Sequence, residues 1–246
     1  MKITLNRPDK FNSFNREMAL QMQDALEKAR LDHTVRAVYI TGEGKAFCAG
    51  QDLSEALDEN GPGIERIVRE HYNPIIEKIR LLEKPVVCAV NGVAAGAGAN
   101  IALACDIVIA GASASFLQAF SKIGLIPDSG GTFFLPRLIG FGKASALMML
   151  GDKVGAADAE KMGMIYKVVD DSSLQTEAMS VAKTVSELPT KAIGMTKKLL
   201  NQSLTNSMVM QLEYEADMQV HAALTYDYSE GVNAFLEKRK PLFKGE

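Results

Sequence analysis

Short apolar runs and helix-spaced apolar positions alternate along the first two thirds of this chain. The runs hold four to six residues, the length of a buried strand. The clearest helical spacing is Met18, Met22, Leu26 and Ala29, which follow Asn15, a typical helix N-cap residue. The runs predict strands at residues 2–5, 36–41, 85–90, 106–110 and 164–169. Strands that alternate with helices indicate an α/β fold with parallel pairing.

Helical spacing dominates the last third of the chain. Residues 42–60 show neither period and are expected to form a loop. The predicted helices after the first one span residues 64–82, 99–104, 133–139, 174–188, 191–200, 208–224 and 228–238. In the segment 208–224, Met208, Leu212 and Ala216 recur every four residues, with Ala223 near the same face, so one face needs an apolar partner. A helical region after an α/β core is expected to serve packing between subunits.

Composition limits the possible partners. The chain has 246 residues, 47% of them hydrophobic, which suits one domain or one domain with a helical appendage. The net charge of −3 argues against nucleic acid, and no apolar run is long enough to span a membrane. No signal-peptide pattern opens the chain, and its three cysteines, Cys48, Cys88 and Cys105, have no metal-binding spacing. A cytoplasmic protein without a metal is therefore expected.

Three glycine-rich segments stand out as candidate chemistry. Residues 45–52 and 91–100 each lie at the end of an apolar run, and residues 126–132 place Asp128 between a proline and a glycine pair. Glycines beside an acid allow a ligand to approach the backbone closely. A carboxylate just before a predicted helix is also a common N-cap, so a purely structural role for Asp128 stays open.

These segments, in this order, resemble those of the crotonase (enoyl-CoA hydratase/isomerase) superfamily, and the resemblance covers essentially the whole chain. The motifs that carry it are Leu5-Asn6-Arg7-Pro8, Phe47-Cys48-Ala49-Gly50, residues 84–98, Ile126-Pro127 with Gly130-Gly131-Thr132, and Glu237-Lys238-Arg239. It implies a spiral of β-β-α turns over residues 1–190 and a helical trimerisation region over residues 191–246, in a homotrimer or a dimer of trimers. Members usually have one more strand before residue 1, so the chain is expected to start late or to be trimmed.

The resemblance also implies an oxyanion hole formed by the backbone N–H groups of Gln51 and Ala97. Such donors stabilise the enolate oxygen of an acyl-CoA thioester. Hydratases of the superfamily use two glutamates, and Asn100 and Phe120 occupy those positions here. Neither residue exchanges a proton, which argues against hydration.

Asp128 is then the candidate acid–base group. A carboxylate at this position moves protons in isomerases of the superfamily, and one carboxylate suffices for a proton shift. Apolar neighbours are expected to raise its pKa, namely Phe120, Leu125, Phe133 and Phe134. In the dehalogenase branch an aspartate attacks an aromatic ring with help from a histidine and a tryptophan. The chain has no tryptophan, and His33, His71 and His221 lie outside the motifs, so that alternative is disfavoured.

Coenzyme A binding is implied at two further places. The backbone of Lys10, Phe11 and Asn12, just after the Asn-Arg-Pro motif, is expected to receive the adenine. Lys238 and Arg239, followed by Lys240, are candidate phosphate ligands from the same or a neighbouring subunit; a solvated helix end is the equal alternative. Coenzyme A is part of the substrate, and no separate cofactor is expected.

The predicted function is isomerisation of a cyclic or unsaturated acyl-CoA. The chain resembles most the subgroup that converts 1,2-epoxyphenylacetyl-CoA to the ring-expanded oxepin, and a double-bond shift on an enoyl-CoA is mechanistically adjacent. Two alternatives stay open: a hydratase that uses other catalytic groups, and a non-catalytic acyl-CoA-binding subunit of a larger assembly.

Overall fold

The computed structural model describes residues 1–246, which form two β-sheets surrounded by helices. The strands are β1 (Lys2–Leu5), β2 (Val38–Gly42), β3 (Ala46–Cys48), β4 (Val86–Val90), β5 (Val93–Ala95), β6 (Ile107–Gly111), β7 (Ser115–Leu117), β8 (Lys153–Gly155) and β9 (Lys167–Val169). One sheet has the order β1-β2-β4-β6-β9 and is parallel throughout. The other has the order β3-β5-β7-β8, with only the β7-β8 pair antiparallel.

The chain crosses from the first sheet to the second within a few residues at β2-β3, β4-β5 and β6-β7, and helices follow each crossing. Each β-β-α turn thus adds one strand to each sheet, and successive turns stack. The predicted spiral is confirmed. The corner between β4 and β5 needs a glycine, because a Cβ at Gly92 would collide with the carbonyl oxygen of Lys45.

Helices cover both sheets and form the end of the chain. They are α1 (Arg16–Leu31), α2 (Leu53–Ala56), α3 (Gly63–Arg66), α4 (Asn73–Leu81), α5 (Ala97–Leu103), α6 (Gly131–Ile139), α7 (Phe141–Leu150), α8 (Ala156–Lys161), α9 (Leu174–Glu187), α10 (Thr190–Ser203), α11 (Met208–Ala223) and α12 (Tyr226–Glu237). A π-helical turn (Ile67–Tyr72) joins α3 to α4, and short 3-10 turns lie at Pro8–Lys10 and Ala119–Ile123. None of the helices combines the length and the apolar composition that a membrane crossing requires.

Most of the predicted elements are present with shifted ends. Asn15 caps α1 as expected, since its side-chain oxygen accepts the Met18 N–H at 3.0 Å. The loop prediction for residues 42–60 is wrong in part, because β3 and α2 lie within it. A strand of three residues is too short to show an alternating period, and β5, β7 and β8 were missed for the same reason.

The core lies between the two sheets and the helices that pack on them. Every residue of β2 and β4 is buried, as expected for parallel strands covered on both faces. A smaller apolar cluster joins the outer face of the five-stranded sheet to α9 and includes Tyr39, Val87, Ile109, Leu174 and Ala178. The spiral therefore encloses its own core.

The C-terminal helices are attached differently. Lys197 of α10 is buried and donates to Asp106 Oδ2 at 2.7 Å and to the Ile79 carbonyl at 2.6 Å. Arg80 binds the other oxygen of Asp106 at 2.9 Å, so one carboxylate anchors α10 to the core. By contrast α11 has no buried residue, and its apolar side chains point in several directions rather than along the single predicted face.

Candidate active site

Two loops at the carboxyl ends of neighbouring strands bring Gln51 and Ala97 together. β3 and β5 are adjacent and parallel, so the segments that follow them leave the sheet at the same edge. Gly50 has a φ of 93°, and a Cβ there would lie 3.0 Å from the Ala95 carbonyl oxygen and 3.7 Å from the Ala97 nitrogen. Only glycine permits both that φ and this approach.

The N–H groups of Gln51 and Ala97 donate no hydrogen bond inside the chain. Ala97 opens α5, and the first N–H groups of a helix have no partner within it. The Gln51 peptide is held by Phe14, which donates to the Gly50 carbonyl at 2.7 Å and accepts the Asp52 N–H at 2.8 Å. Two fixed, unused donors are what an oxyanion hole requires.

Asp128 lies in the loop before α6, and its carboxylate does not cap that helix. The N-cap position is Gly130, without a side-chain cap bond. The carboxylate accepts the Ser129 hydroxyl at 2.9 Å, whereas the Asp128 backbone carbonyl accepts the Gly131 N–H at 2.9 Å. The prediction that the Asp128 side chain caps this helix is therefore wrong. Burial raises the pKa of Asp128, partly opposed by the Ser129 hydroxyl.

Asn100 and Phe120, which the sequence resemblance predicts at the positions of the hydratase glutamates, contribute to the site as structural residues. The buried Asn100 amide donates to the Asp128 carbonyl at 2.8 Å and accepts from Gln118 at 2.7 Å. Asn100 thus holds the loop that carries Asp128, and the Phe120 ring forms part of the neighbouring cavity wall.

A cavity of about 600 Å³ connects these groups. Gln51, Ala97 and Asp128 line it, and Asp128 is the only carboxylate that does so. Its apolar wall includes Leu53, Ala56, Ile64, Ile67, Val68, Phe120, Ile123, Leu125, Ile126 and Pro127. Of the predicted apolar neighbours, Phe120 and Leu125 line the cavity, while Phe133 and Phe134 do not.

The predicted coenzyme A residues lie outside the cavity lining. The Phe11 carbonyl accepts the Ala49 N–H at 2.9 Å, which places this segment beside the loop that carries Gln51. Asn12 is fully buried, and its amide donates to the carbonyls of Glu43 and Ala46 at 2.9 and 2.8 Å. The Asn12 side chain therefore stabilises the turn, and its backbone N–H donates to the Arg7 carbonyl at 2.9 Å, so only its carbonyl stays open to a ligand.

The cationic end of α12 is engaged within the chain. Arg239 forms two hydrogen bonds with Glu230 at 2.6 and 2.8 Å and a third with Glu237 at 2.6 Å. Lys238 ends the helix with a φ of 55°. Within one copy of the chain neither residue reaches the cavity, so a role in phosphate binding stays a prediction.

Sequence reasoning missed Tyr72 and Lys122, which also line the cavity. The Tyr72 hydroxyl donates to Gln51 Oε1 at 2.8 Å. Tyr72 ends the π-helical turn, two residues before Pro74. A proline inside an otherwise helical pattern was the available signal, because it removes a backbone donor and disturbs the helix there.

Comparisons with known proteins agree with this geometry. The family model "Enoyl-CoA hydratase/isomerase" matches residues 1–246. The chain is 47% identical to 1,2-epoxyphenylacetyl-CoA isomerase of Escherichia coli, across 100% of this chain and 95% of that protein. It is 43% identical to a probable enoyl-CoA hydratase of Rhodobacter capsulatus, across 99% and 93%. A crystal structure from Mycobacterium abscessus, described as an enoyl-CoA hydratase/isomerase, superimposes with a TM-score of 0.95 at 42% identity, across 100% and 95%.

Proposed function

Because the chain belongs to the enoyl-CoA hydratase/isomerase family, we propose that it is an acyl-CoA isomerase that uses Asp128 as its single acid–base group. The observation that carries this proposal is the composition of the cavity wall. Asp128 is its only carboxylate. The family resemblance adds that Asn100 and Phe120 stand where a hydratase has glutamates. A proton shift needs one such group, whereas water addition in this family uses two.

The thioester oxygen of the substrate lies between the N–H groups of Gln51 and Ala97. Loss of a C–H proton next to the thioester carbonyl places negative charge on that oxygen. The two donors are already oriented and stabilise the charge as it develops, by about 3 kcal/mol for one donor of this kind. The N-terminus of α5 adds its dipole at the same point.

Asp128 takes the proton from one carbon and returns it to another, so the substrate and product have the same atoms. The apolar wall and the raised pKa bring the carboxylate closer to the range in which a group both accepts and donates protons. Asn100 fixes the Asp128 carbonyl, which keeps the carboxylate in place during both transfers.

The proposed substrate is 1,2-epoxyphenylacetyl-CoA, and the product is the ring-expanded oxepin. The C–C bond shared by the epoxide and the six-membered ring breaks as its electrons shift into the ring double bonds, and the proton that Asp128 removes beside the thioester returns to a ring carbon. Support comes from the Escherichia coli relative of that name and from a mostly apolar cavity large enough for a ring. A double-bond shift on an enoyl-CoA uses the same groups. For coenzyme A we retain the backbone of Lys10, Phe11 and Asn12, and Lys238 and Arg239 of a neighbouring copy.

Hydration is the competing function, since the Rhodobacter capsulatus relative is named as a probable hydratase. The test is to assay wild type and Asp128→Asn with epoxyphenylacetyl-CoA and with crotonyl-CoA. Asp128→Asn is expected to lower isomerisation roughly 10²–10⁴-fold and to leave coenzyme A affinity near wild type. Wild-type hydration of crotonyl-CoA is expected to be negligible.

The matched control is Asp24→Asn, an exposed aspartate on α1 that pairs with Lys28 and is expected to keep full activity. Substantial isomerisation by Asp128→Asn removes the proposed mechanism. Brisk hydration of crotonyl-CoA by wild type supports the hydratase, and binding of acyl-CoA without turnover supports the non-catalytic subunit.

A further inference from the structure

Tyr72 occupies an unusual place for a fully buried tyrosine. Its side chain is 1% exposed, yet it forms part of the cavity wall, and its ring packs edge-on against Phe14 with 5.9 Å between ring centroids. Its hydroxyl donates a hydrogen bond to Gln51 Oε1 at 2.8 Å. Phe14 is the residue that holds the Gln51 peptide from the other side.

The Gln51 side chain is held at both ends. Its oxygen accepts from Tyr72 at 2.8 Å, and its nitrogen donates to Glu55 Oε2 at 3.1 Å. Glu55 in turn accepts the Arg16 N–H at the start of α1, at 2.9 and 3.1 Å. A continuous chain of hydrogen bonds therefore runs from Tyr72 to α1 through the residue whose N–H faces the thioester.

The π-helical turn sets where Tyr72 lies. The Asn73 N–H bonds to the Val68 carbonyl, five residues back, and the following Pro74 has no N–H to donate. The Glu70 carbonyl, which an α-helix would pair with residue 74, accepts the Gln23 amide instead at 2.7 Å. Gln23 of α1 thus holds part of this irregular turn, and the turn ends on the residue that touches Gln51.

We propose that Tyr72 is a positioning residue, whose hydroxyl acts through the Gln51 side chain to hold the Gln51 N–H in line with the thioester oxygen. The inference rests on the proposed oxyanion-hole function of that N–H. Two backbone hydrogen bonds with Phe14 hold the peptide groups on either side of Gln51. The hydrogen bonds with Tyr72 and Glu55 hold the Gln51 side chain and restrain rotation of Gln51 about its backbone. A small misalignment of an oxyanion donor is expected to lower the rate more than the binding of substrate.

The test is a double-mutant cycle with Tyr72→Phe and Gln51→Met. Tyr72→Phe keeps the ring that packs on Phe14 and removes only the hydroxyl. It is expected to lower kcat roughly tenfold with less than about a twofold change in KM. In the Gln51→Met background, where no amide is left to hold, the same change is expected to alter kcat less than about twofold.

A second readout needs no turnover. Acetoacetyl-CoA forms an enolate that absorbs in the near ultraviolet, so the pH at which the bound ligand ionises reports the strength of the oxyanion hole. Tyr72→Phe is expected to raise that pH. Tyr166→Phe is the control, since Tyr166 is 67% exposed and is expected to behave as wild type in both assays.

An equal loss of kcat in both backgrounds overturns the inference, because Tyr72 then acts on the substrate without Gln51. An unchanged kcat and an unchanged enolate titration in Tyr72→Phe also overturn it. Failure of the proposed isomerase mechanism appears separately, as retained activity in Asp128→Asn, and the enolate titration still decides the role of Tyr72 in that case.

Discussion

Two helices of this chain, α5 and α11, both carry apolar side chains, but α5 buries its side chains and α11 leaves them exposed. All seven residues of α5 are buried, whereas none of the sixteen residues of α11 is. α5 follows a glycine-rich turn into the middle of the spiral, where its own chain surrounds it. α11 touches mainly α10, and it exposes Met208, Val209, Met210, Leu212 and Val220. Apolar content therefore shows that a helix needs a partner but not which chain supplies it.

This contrast supports assembly of the chain with further copies of itself. Monomeric soluble proteins rarely expose a large apolar surface, and such a surface usually marks an interaction site. We propose that α11 and α12 form the interface of a homotrimer or a dimer of trimers, which also brings Lys238 and Arg239 to a neighbouring copy. The spiral core, by comparison, is expected to be complete within one chain.

Removal of the tail is expected to have the largest effect, because it removes the proposed interface and leaves the spiral core. Deletion of residues 208–246 removes the exposed helices and the Arg239–Glu230 pair but leaves the Lys197–Asp106 anchor. We expect aggregates or monomers without isomerase activity, because assembly and coenzyme A binding fail together. Light scattering and coenzyme A titration measure both. A soluble trimer that still binds coenzyme A normally would show that the tail is dispensable.

The junction of core and tail is expected to be the next most sensitive place. Asp106→Asn leaves Lys197 and Arg80 without their shared carboxylate in a largely buried position. Loss of one partner of such a pair is expected to lower the free energy of unfolding by about 3 kcal/mol, measured by urea denaturation at one protein concentration.

Glu177→Gln is the control for this change, since Glu177 pairs with Lys167 at 3.3 Å on the surface. Its cost is expected to stay below about 0.5 kcal/mol. Equal costs for the two variants would mean that the anchor contributes no more than a surface ion pair does.

Periodicity in the sequence predicts the long elements of both regions because each of them buries or exposes a regular face. It does not predict β3 and β5, although their ends form the site. These strands have three residues each, and their pairing is set by neighbours about 45 residues away in sequence. The π-helical turn is similarly invisible, because Pro74 marks a disturbance without giving its register.

The candidate site likewise has residues that the sequence predicts and residues that it does not. Gln51, Ala97 and Asp128 follow from the motifs of the family, and the structure brings them to one cavity. The partners that hold them do not follow, since Tyr72 meets Gln51 across 21 residues and Asn100 meets Asp128 across 28. Such contacts depend on how the spiral stacks, which no local pattern of residues specifies.

Within the core, the Asp128 carboxylate accepts one hydrogen bond, from Ser129, whereas the Asp52 carboxylate accepts three. Arg7 binds Asp52 at 2.8 Å and Ser54 bonds to it through both its hydroxyl and its N–H. These bonds, from Ser54 first and then Arg7, lower the pKa of Asp52, whereas burial raises the pKa of Asp128. A lowered pKa stabilises the fold fully above the unfolded-state pKa, and this stability is lost as the pH falls through the folded-state value. A raised pKa destabilises the fold as the pH rises above the unfolded-state value, and fully above the folded-state value.

The smallest expected effects are therefore opposite in sign. At neutral pH, Asp52→Asn is expected to lower the free energy of unfolding by about 1 kcal/mol, and Asp128→Asn to raise it by a few tenths, up to about 1 kcal/mol. The difference for Asp128→Asn is expected to vanish below the ordinary carboxyl pKa, where this group is protonated in the folded and unfolded states alike. The difference for Asp52→Asn is expected to vanish only below the lowered folded-state pKa of Asp52. Urea denaturation of wild type and the two variants, at neutral pH and at acidic pH, measures these differences in the free energy of unfolding. A loss of stability in Asp128→Asn at neutral pH would mean that the fold stabilises the charged carboxylate, and that burial does not raise the pKa of Asp128 as the proposed chemistry requires.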